Sequence, residues 1–301
     1  MSDTYTSIFF EPGWSHQKYY GWKSIASDKG FRVLVKRQGP VRRALVLASG
    51  MDQPTLAKRI SDLRLCNPLG EVVLHDFDDA GQPLRLIGGH NFQRADNDQR
   101  LLNIATFVVD LAADEASLLQ AMTHDCRRRM RKATKEGIEV TSESKPGDAQ
   151  IAAFLAAYKV MASERGLPMP GHVVLARMFA NQDLVLVTAR LGEDVLNSLL
   201  IYKAGDKGIA TFTVGGGIRN NDTGALIHWE AMRMLKAAGL RWFDLGGVAT
   251  LDDSNGIYRF KKSFGGTLVH LGAEYLWRPP LVRLMRGAVR KWPRLAGAAR
   301  P

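Results

Sequence analysis

Short apolar runs separated by polar breaks fill the first third of the chain. Short apolar runs typical of β-strands cover 31–37, 43–49, 71–77 and 106–111, and a helical pattern covers 54–65. Breaks such as DDAGQP and RADNDQR contain the residues that favour turns. This pattern predicts several short strands with one helix among them.

The stretch AADEASLLQAMTHDCRRRMRKATKEG, residues 112–137, has a helical pattern with acidic residues early and basic residues late. Charges in this order complement the helix dipole, and Gly137 is typical of a helix end. We therefore expect one long, basic helix that connects two domains.

From Ile138 onward the pattern predicts the order strand, helix, helix, three strands, helix, strand, short helix and strand. The predicted segments are 138–140, 148–166, 172–180, 184–190, 195–203, 208–214, 225–239, 241–245, 254–263 and 267–277. This order resembles the fold of the GCN5-related N-acetyltransferases (GNAT), a mixed sheet whose two middle strands separate to hold an acyl donor. We expect a fold of the α/β class whose sheet is mixed (α+β), with parallel and antiparallel strands together.

Composition excludes several classes of protein. With 46% hydrophobic and 24% charged residues, the chain is neither disordered nor fibrous. It shows no leader pattern and no apolar run long enough to span a bilayer, so we expect a cytoplasmic protein. Two cysteines, Cys66 and Cys126, are too few for a disulfide framework. We found no metal-ligand spacing, serine-nucleophile elbow or Walker phosphate loop, and we expect no metal.

The net charge of +11 is concentrated in two segments. Residues 127–135 hold six Lys or Arg, residues 278–301 hold seven, and neither segment contains an acidic residue. Such patches suit phosphate groups or an anionic membrane surface, although a solvated helix face explains either one equally well. The pattern of 278–301 indicates a basic amphipathic tail. It is suited to peripheral contact with the inner membrane face, or alternatively to packing on the domain.

A second phosphate site is predicted where the loop GGGIRNNDTG runs into the helix of 225–239. Free N–H groups at a helix N-terminus bind anions, and Arg219 adds a bidentate charge. The GNAT pyrophosphate loop requires Arg or Gln, two residues, Gly, one residue, then Gly or Ala; Arg219 and Gly224 match, but Asp222 replaces the middle glycine. An acid there opposes coenzyme A by charge repulsion. Alternatively, Asp222 or Thr223 only caps the helix.

Three segments carry a more specific resemblance: 106–140, 224–247 and 256–275, the last containing GIYRFKKSFGG. Over roughly 105–277 the chain resembles the Fem family of peptidoglycan bridge aminoacyltransferases and their acyltransferase relatives. The resemblance implies two GNAT-like domains, the first incomplete. It also implies transfer of an aminoacyl group from aminoacyl-tRNA to an amine of a cell-envelope precursor or another small molecule, with no cofactor beyond this co-substrate. We divide the chain into a degenerate domain at 1–136, a complete domain at 137–277 and the tail.

The resemblance also assigns the site. The Phe-Lys pair of the family falls on Phe260 and Lys261, and its Asp-Leu-Gly-Gly block falls on 244–247. Lys261 would supply a fixed positive charge to the reacting carbonyl or anchor the tRNA end, and Phe260 would stack on the terminal adenine or the aminoacyl chain. The expected donor-binding residues are Arg219, Asn220, Thr223 and Gly224, with the backbone N–H groups of Thr213 and Val214 as oxyanion donors. Arg128, Arg131 and Lys132 are expected to bind phosphate of the tRNA or the acceptor, and Asp244, Glu230 and Tyr258 are candidate bases or orienting groups.

Two other functions stay open. The first is an acyl-CoA-dependent N-acyltransferase that modifies polysaccharides or natural products, with a coenzyme A thioester as donor. The second is an RNA-binding module that keeps the fold without catalysis.

Overall fold

The computed structural model describes residues 5–11, 21–38, 41–65, 70–79, 84–87, 89–96, 100–165, 169–215 and 220–280. The contacts divide the chain into two units. The larger unit comprises Met1–Tyr20 and Leu102–Leu271, and the smaller unit comprises Gly21–Leu101 and Gly272–Pro301.

Fourteen strands are found among the described residues. They are β1 (Lys23–Asp28), β2 (Phe31–Gln38), β3 (Val41–Ala48), β4 (Glu71–Asp76), β5 (Leu84–Ile87), β6 (His90–Arg94), β7 (Ala105–Asp110), β8 (Glu139–Glu143), β9 (Leu184–Leu191), β10 (Asp194–Ala204), β11 (Lys207–Gly215), β12 (Trp242–Val248), β13 (Thr267–His270) and β14 (Ala273–Trp277). The helices are α1 (Gln53–Leu65), α2 (Glu115–Ala121), α3 (His124–Lys135), α4 (Asp148–Arg165), α5 (His172–Ala180), α6 (Asn220–Ala237) and α7 (Gly256–Lys262). A single 3-10 turn, Ile8–Phe10, precedes them.

The smaller unit is a seven-stranded sheet in the order β1-β2-β3-β4-β14-β6-β5. β3 and β4 run parallel and pair over six residues, from Arg43 with Glu71 to Ala48 with Asp76. Helix α1 connects them and buries Leu56 and Ile60 in the apolar core. This unit has the strand, strand, helix, parallel strand arrangement of β2, β3, α1 and β4.

The larger unit repeats that arrangement in β10, β11, α6 and β12. Its seven strands lie in the order β13-β7-β12-β11-β10-β9-β8. Alternate residues of β9 and β10 belong to two separate cores: Val187 and Ile201 pack with α3 and α6, whereas Leu186 and Leu200 pack with α4 and α5. Helices therefore cover both faces of this sheet, which explains why its inner strands are apolar along most of their length.

The single long helix expected at 112–137 is wrong, because the structure has two helices there. α2 ends at Ala121, and Thr123 begins α3 by accepting a hydrogen bond from the N–H of Cys126 at 3.3 Å. The N–H of Thr123 donates to the carbonyl oxygen of Ser263 at 2.9 Å instead of continuing a helix. An N-cap threonine therefore interrupts an otherwise continuous helical pattern.

The two units differ from the expected division at residue 136. β7 pairs with β12 and β13, which places the segment from Leu102 in the larger unit. The last expected strand, 267–277, is two strands: β13 belongs to the larger sheet, and β14 pairs with β4 and β6 in the smaller one. Sequence periodicity cannot distinguish these partners, because one strand pattern fits either sheet.

Candidate active site

The sheet of the larger unit opens between β11 and β12. These parallel strands pair at only three positions, Lys207–Ile209 with Trp242–Asp244. After these three positions β11 and β12 no longer pair with each other. On its opposite edge β12 pairs with β7, and the register of that pairing shifts between Asp244 and Gly247. The shift places two residues of β12 opposite one residue of β7, which is a bulge that turns the strand.

Lys261 extends from the last turn of α7 to this bulge. Asn255 caps the start of α7 by accepting from the N–H groups of Ile257 and Tyr258. The Lys261 Nζ donates to the carbonyl oxygens of Gly246 and Gly247, at 2.8 and 3.0 Å. An ammonium has three N–H bonds, so one remains for a group in the opening.

Gly246 makes this arrangement possible. Its φ of +81° lies in the left-handed region, and a Cβ there would lie 2.6 Å from the carbonyl oxygen of Ala210 and 3.2 Å from the Lys261 Nζ. Any side chain would therefore collide with β11 and with the ammonium. Glycine at this position lets β12 turn two carbonyl groups towards Lys261.

Burial lowers the pKa of Lys261 to about 8, and the negative charge of Asp244 partly opposes the change. At neutral pH the side chain is still mostly protonated. A positive charge held away from water interacts with a developing oxyanion more strongly than a solvated one does.

Asp244 is fully buried and accepts three hydrogen bonds. The donors are the hydroxyl of Tyr5 at 2.9 Å, the N–H of Gly246 at 2.8 Å and the hydroxyl of Thr106. Burial raises the pKa of Asp244, and the three donors oppose that change. A carboxylate with this many partners holds the bulge in place, so the geometry assigns Asp244 an orienting role instead of that of a base facing substrate.

Phe260 lies beside Lys261 in an aromatic cluster. Its ring makes edge contacts with Phe264 and His228, at centroid distances of 5.1 and 5.3 Å. A Cβ on Gly224 would lie 3.4 Å from the Phe260 ring, so the glycine allows α6 to approach α7 closely. Phe260 is only partly buried by these contacts, so its exposed part is available to a ligand.

His228 is buried behind this cluster, and its Nδ1 hydrogen-bonds the carbonyl oxygen of Gly224 at 2.8 Å. Burial and the charge of Lys261 together lower the pKa of His228 to about 4, although the hydrogen bond to Gly224 opposes the change. The imidazole is thus neutral at physiological pH and forms part of the wall.

The expected donor-binding residues fall into two groups. α6 begins at Asn220, so Asp222 and Thr223 lie in its first turn, and Thr223 is fully buried. Thr213 and Val214 lie on β11, opposite Leu199 and Ser198 of β10. Arg219 and the side chain of Asn220 lie outside the described residues.

The expected phosphate-binding residues lie on α3. Lys132 forms an ion pair with Asp222 at 2.6 Å, which joins α3 to the first turn of α6. Arg128 pairs with Asp125, whereas Arg131 is exposed and has no ion pair with a described residue. The structure therefore leaves Arg131 most available to an anionic ligand.

Glu230 and Tyr258 do not contact Lys261. Glu230 pairs with Arg233 at 3.1 Å. Together with Val140 of β8 it lines a cavity of about 270 Å³. Tyr258 is buried against Phe107, with ring centroids 5.4 Å apart. No group among the described residues thus stands out as a general base.

The described residues contain no group of three or more His, Cys, Asp or Glu that could hold a metal ion. No helix among them is long and apolar enough to cross a membrane. Most of the tail expected at 278–301 lies outside the described residues, which end at residue 280. Arg278, at the start of the tail, forms an ion pair with Glu71 at 2.6 Å.

Sequence reasoning missed the partners of Lys261. The Asp-Leu-Gly-Gly block was noted, but nothing in the sequence links its carbonyl groups to an ammonium 14 residues later. Tyr5 contacts Asp244 across 239 residues of chain, and no local pattern reveals such a contact.

Comparisons with known proteins agree with this geometry. Residues 120–262 match the family model of the acetyltransferase (GNAT) domain. Among solved structures, FemX is similar with a TM-score of 0.67 at 13% identity, covering 95% of this chain and 100% of that one. L-PGS from Bacillus licheniformis has a TM-score of 0.56 at 13% identity, covering 93% of this chain and 92% of that one. No curated protein sequence matched.

These findings show the fold. Residues 120–262 are similar to the acetyltransferase (GNAT) domain, and the chain has a fold similar to that of FemX along nearly its whole length. The expected α/β fold with mixed sheets and two GNAT-like domains is confirmed, as is the resemblance of the fold to that of FemX.

Proposed function

We propose that the protein is an aminoacyltransferase that moves an aminoacyl group from aminoacyl-tRNA to an amine, forming a peptide-type bond. The observation that carries the proposal is the Lys261 ammonium, held by two carbonyl groups where β11 and β12 separate. The acceptor is a small molecule or a cell-envelope precursor, and the reaction takes place in the cytoplasm, where charged tRNA is found.

The proposed chemistry uses Lys261 as an electrostatic catalyst. The amine nitrogen attacks the ester carbonyl carbon, and negative charge develops on the carbonyl oxygen. The third N–H of Lys261 donates to that oxygen, and N–H groups of β11 near Thr213 and Val214 add further donors. The bond to the ribose oxygen then breaks, and the proton lost by the amine goes to that leaving oxygen.

The ion pair between Lys132 and Asp222 favours tRNA over coenzyme A as the donor. Asp222 occupies the first turn of α6, where a free helix N-terminus would otherwise attract a pyrophosphate. Its side chain is mostly buried, and among the described residues Lys132 is the cation that pairs with it. A pyrophosphate at this place would be repelled by the Asp222 carboxylate, and Lys132 is already paired with that carboxylate.

A transfer assay with a mixture of charged tRNAs and small amine acceptors tests the proposal. We expect transfer that ribonuclease abolishes and that Lys261→Met reduces to background. Lys262→Met is the matched control, because Lys262 is exposed and pairs with Asp253 at 2.9 Å, and we expect it to transfer normally. Full activity of Lys261→Met would refute the assigned role.

A second candidate function is N-acyl transfer from a coenzyme A thioester. The match of residues 120–262 to the acetyltransferase family favours it. Calorimetric titration with coenzyme A separates the two candidates. Tight binding of coenzyme A, together with no effect of charged tRNA on transfer, would replace the first proposal with the second.

A further inference from the structure

The described N-terminal segment, residues 5–11, contacts the rest of the larger unit at three places. The ring of Tyr5 makes an edge contact with Trp242, with centroids 5.6 Å apart, and its hydroxyl donates to Asp244. Ile8 is fully buried in the core beside α4 and α5. Glu11 forms an ion pair with Lys207 of β11. The segment therefore touches both strands that flank the opening.

A continuous chain of hydrogen bonds leads from this segment to the reactive lysine. The Tyr5 hydroxyl donates to one oxygen of Asp244, at 2.9 Å. The other oxygen accepts from the N–H of Gly246 at 2.8 Å, and the carbonyl oxygen of Gly246 accepts from Lys261 at 2.8 Å. Three hydrogen bonds thus separate a residue near the start of the chain from one near its end.

We propose that Tyr5 is a positioning residue for Lys261, because its hydroxyl fixes the Asp244 carboxylate and hence the β12 bulge that holds the ammonium. The functional consequence rests on the proposed role of Lys261 in transfer. The structural part, that Tyr5 controls the state of the Lys261 side chain, stands independently of which reaction the protein catalyses.

The charges around the ammonium make the effect measurable. From the elements packed against it, Lys261 interacts electrostatically with Asp244 on β12 and with His228 on α6. On α7 itself, Arg259 is exposed and Lys262 pairs with Asp253. The negative charge of Asp244 raises the pKa of Lys261, and the Tyr5 hydrogen bond helps to keep Asp244 ionised. Loss of that bond weakens the charge that supports the ammonium.

The test is the pH dependence of Lys261 labelling by acetic anhydride, followed by mass spectrometry of its peptide in the whole protein. We expect half-maximal labelling near pH 8 in the unmodified sequence. Tyr5→Phe keeps the ring contact with Trp242 and removes only the hydroxyl, and we expect its midpoint to fall by half a pH unit or more. Thr106→Val removes a second donor to Asp244 and should move the midpoint in the same direction.

Glu11→Gln is the matched control, because it weakens an anchor of the same segment without touching Asp244. Its midpoint should equal that of the unmodified sequence. If Tyr5→Phe leaves the midpoint unchanged while Thr106→Val lowers it, or if Glu11→Gln lowers it equally, the positioning role of Tyr5 is refuted.

Labelling needs no substrate, so this result stands apart from the proposed function. If transfer is observed, Tyr5→Phe should also lower kcat several-fold with KM nearly unchanged, since it alters the charge in the transition state instead of substrate contacts. A change in KM alone would contradict the inference.

Discussion

The two sheets share one arrangement but differ at their parallel strand pair. In the smaller unit, β3 and β4 pair along six positions, and Arg43 on β3 forms an ion pair with Glu71 on β4 at 3.4 Å. Arg85 there donates to Asp76 and Asp79, at 2.6 and 2.7 Å. In the larger unit, the corresponding β11 and β12 separate after three pairs, and a lone ammonium lies against backbone carbonyl groups.

This difference shows what turns the fold into a candidate site. A fully paired sheet has no free backbone groups in its middle, so it offers nothing to a ligand. The glycine bulge of β12 opens the larger sheet and supplies a binding place for Lys261. The smaller unit keeps the arrangement of the fold but lacks this opening, which agrees with an incomplete first domain.

Replacing Lys261 in the larger unit and Arg85 in the smaller unit should have the largest effects, on transfer activity in the first case and on stability in the second. We expect Lys261→Met to lower transfer by roughly 10²–10³-fold with little loss of stability, because a desolvated charge is removed. Arg85→Met should lower the free energy of unfolding by about 3–5 kcal/mol, since it removes the cation that pairs with the buried Asp76 carboxylate. Transfer assays measure the first effect and urea unfolding the second. If Lys261→Met were as unstable as Arg85→Met, the predicted difference between the two units would be wrong.

Alanine substitutions at one left-handed glycine in each unit, Gly246 and Gly50, test the same difference between the two sheets. Gly246→Ala should cost roughly 1–3 kcal/mol from strain, in addition to the clash with Ala210, and should abolish transfer by displacing Lys261. Gly50 of the smaller unit has a φ of +66° and open space around its Cβ, so Gly50→Ala should cost only about 1 kcal/mol. Thermal or urea unfolding compares the pair, and equal losses would contradict the special role of the bulge.

The pH dependence of transfer should follow Lys261. Because the ammonium is the active form and its pKa is lowered to about 8, kcat/KM should fall about tenfold per pH unit above pH 8. Stability should change in the opposite direction: the unfolded lysine binds its proton up to about pH 10.5, so the free energy of unfolding rises between pH 8 and 10.5. Lys261→Met should lose that rise, and its persistence would argue against a buried ammonium.

The smallest effect is expected at His228. The folded pKa of about 4 lies below the ordinary value of 6.5, so stability is lost as pH falls between these values. The loss should be about 1 kcal/mol between pH 6.5 and 5.5, by urea unfolding. His228→Gln should show a smaller dependence in this range, and an unchanged dependence would assign it to other groups.

Sequence patterns predicted the strongly periodic elements well. The run EVVLHD and the helix over 54–65 appear as β4 and α1, because all six residues of β4 are buried and α1 buries Leu56 and Ile60 one helical turn apart. β1 was missed because all of its residues are exposed, so no apolar alternation marks it. β5 and β6 are only four and five residues long, too short for a reliable pattern.

The candidate site was predictable only in part. The resemblance located Phe260 and Lys261, and the structure brings them together with Gly224 and the Asp244 block. The hydrogen bonds that hold Lys261 depend on contacts between distant segments, which no local period encodes. For the same reason, the sequence did not reveal that Asp244, a predicted candidate base or orienting group, is buried among three hydrogen-bond donors.

The location of β14 has a consequence for synthesis on the ribosome. This strand lies between β4 and β6, yet it follows the whole larger unit in the chain. The amino-terminal sheet cannot complete its hydrogen bonding until residue 277 has left the exit tunnel. The sheet of the smaller unit therefore stays incompletely paired, and accessible to chaperones, until β14 near the end of the chain has been translated.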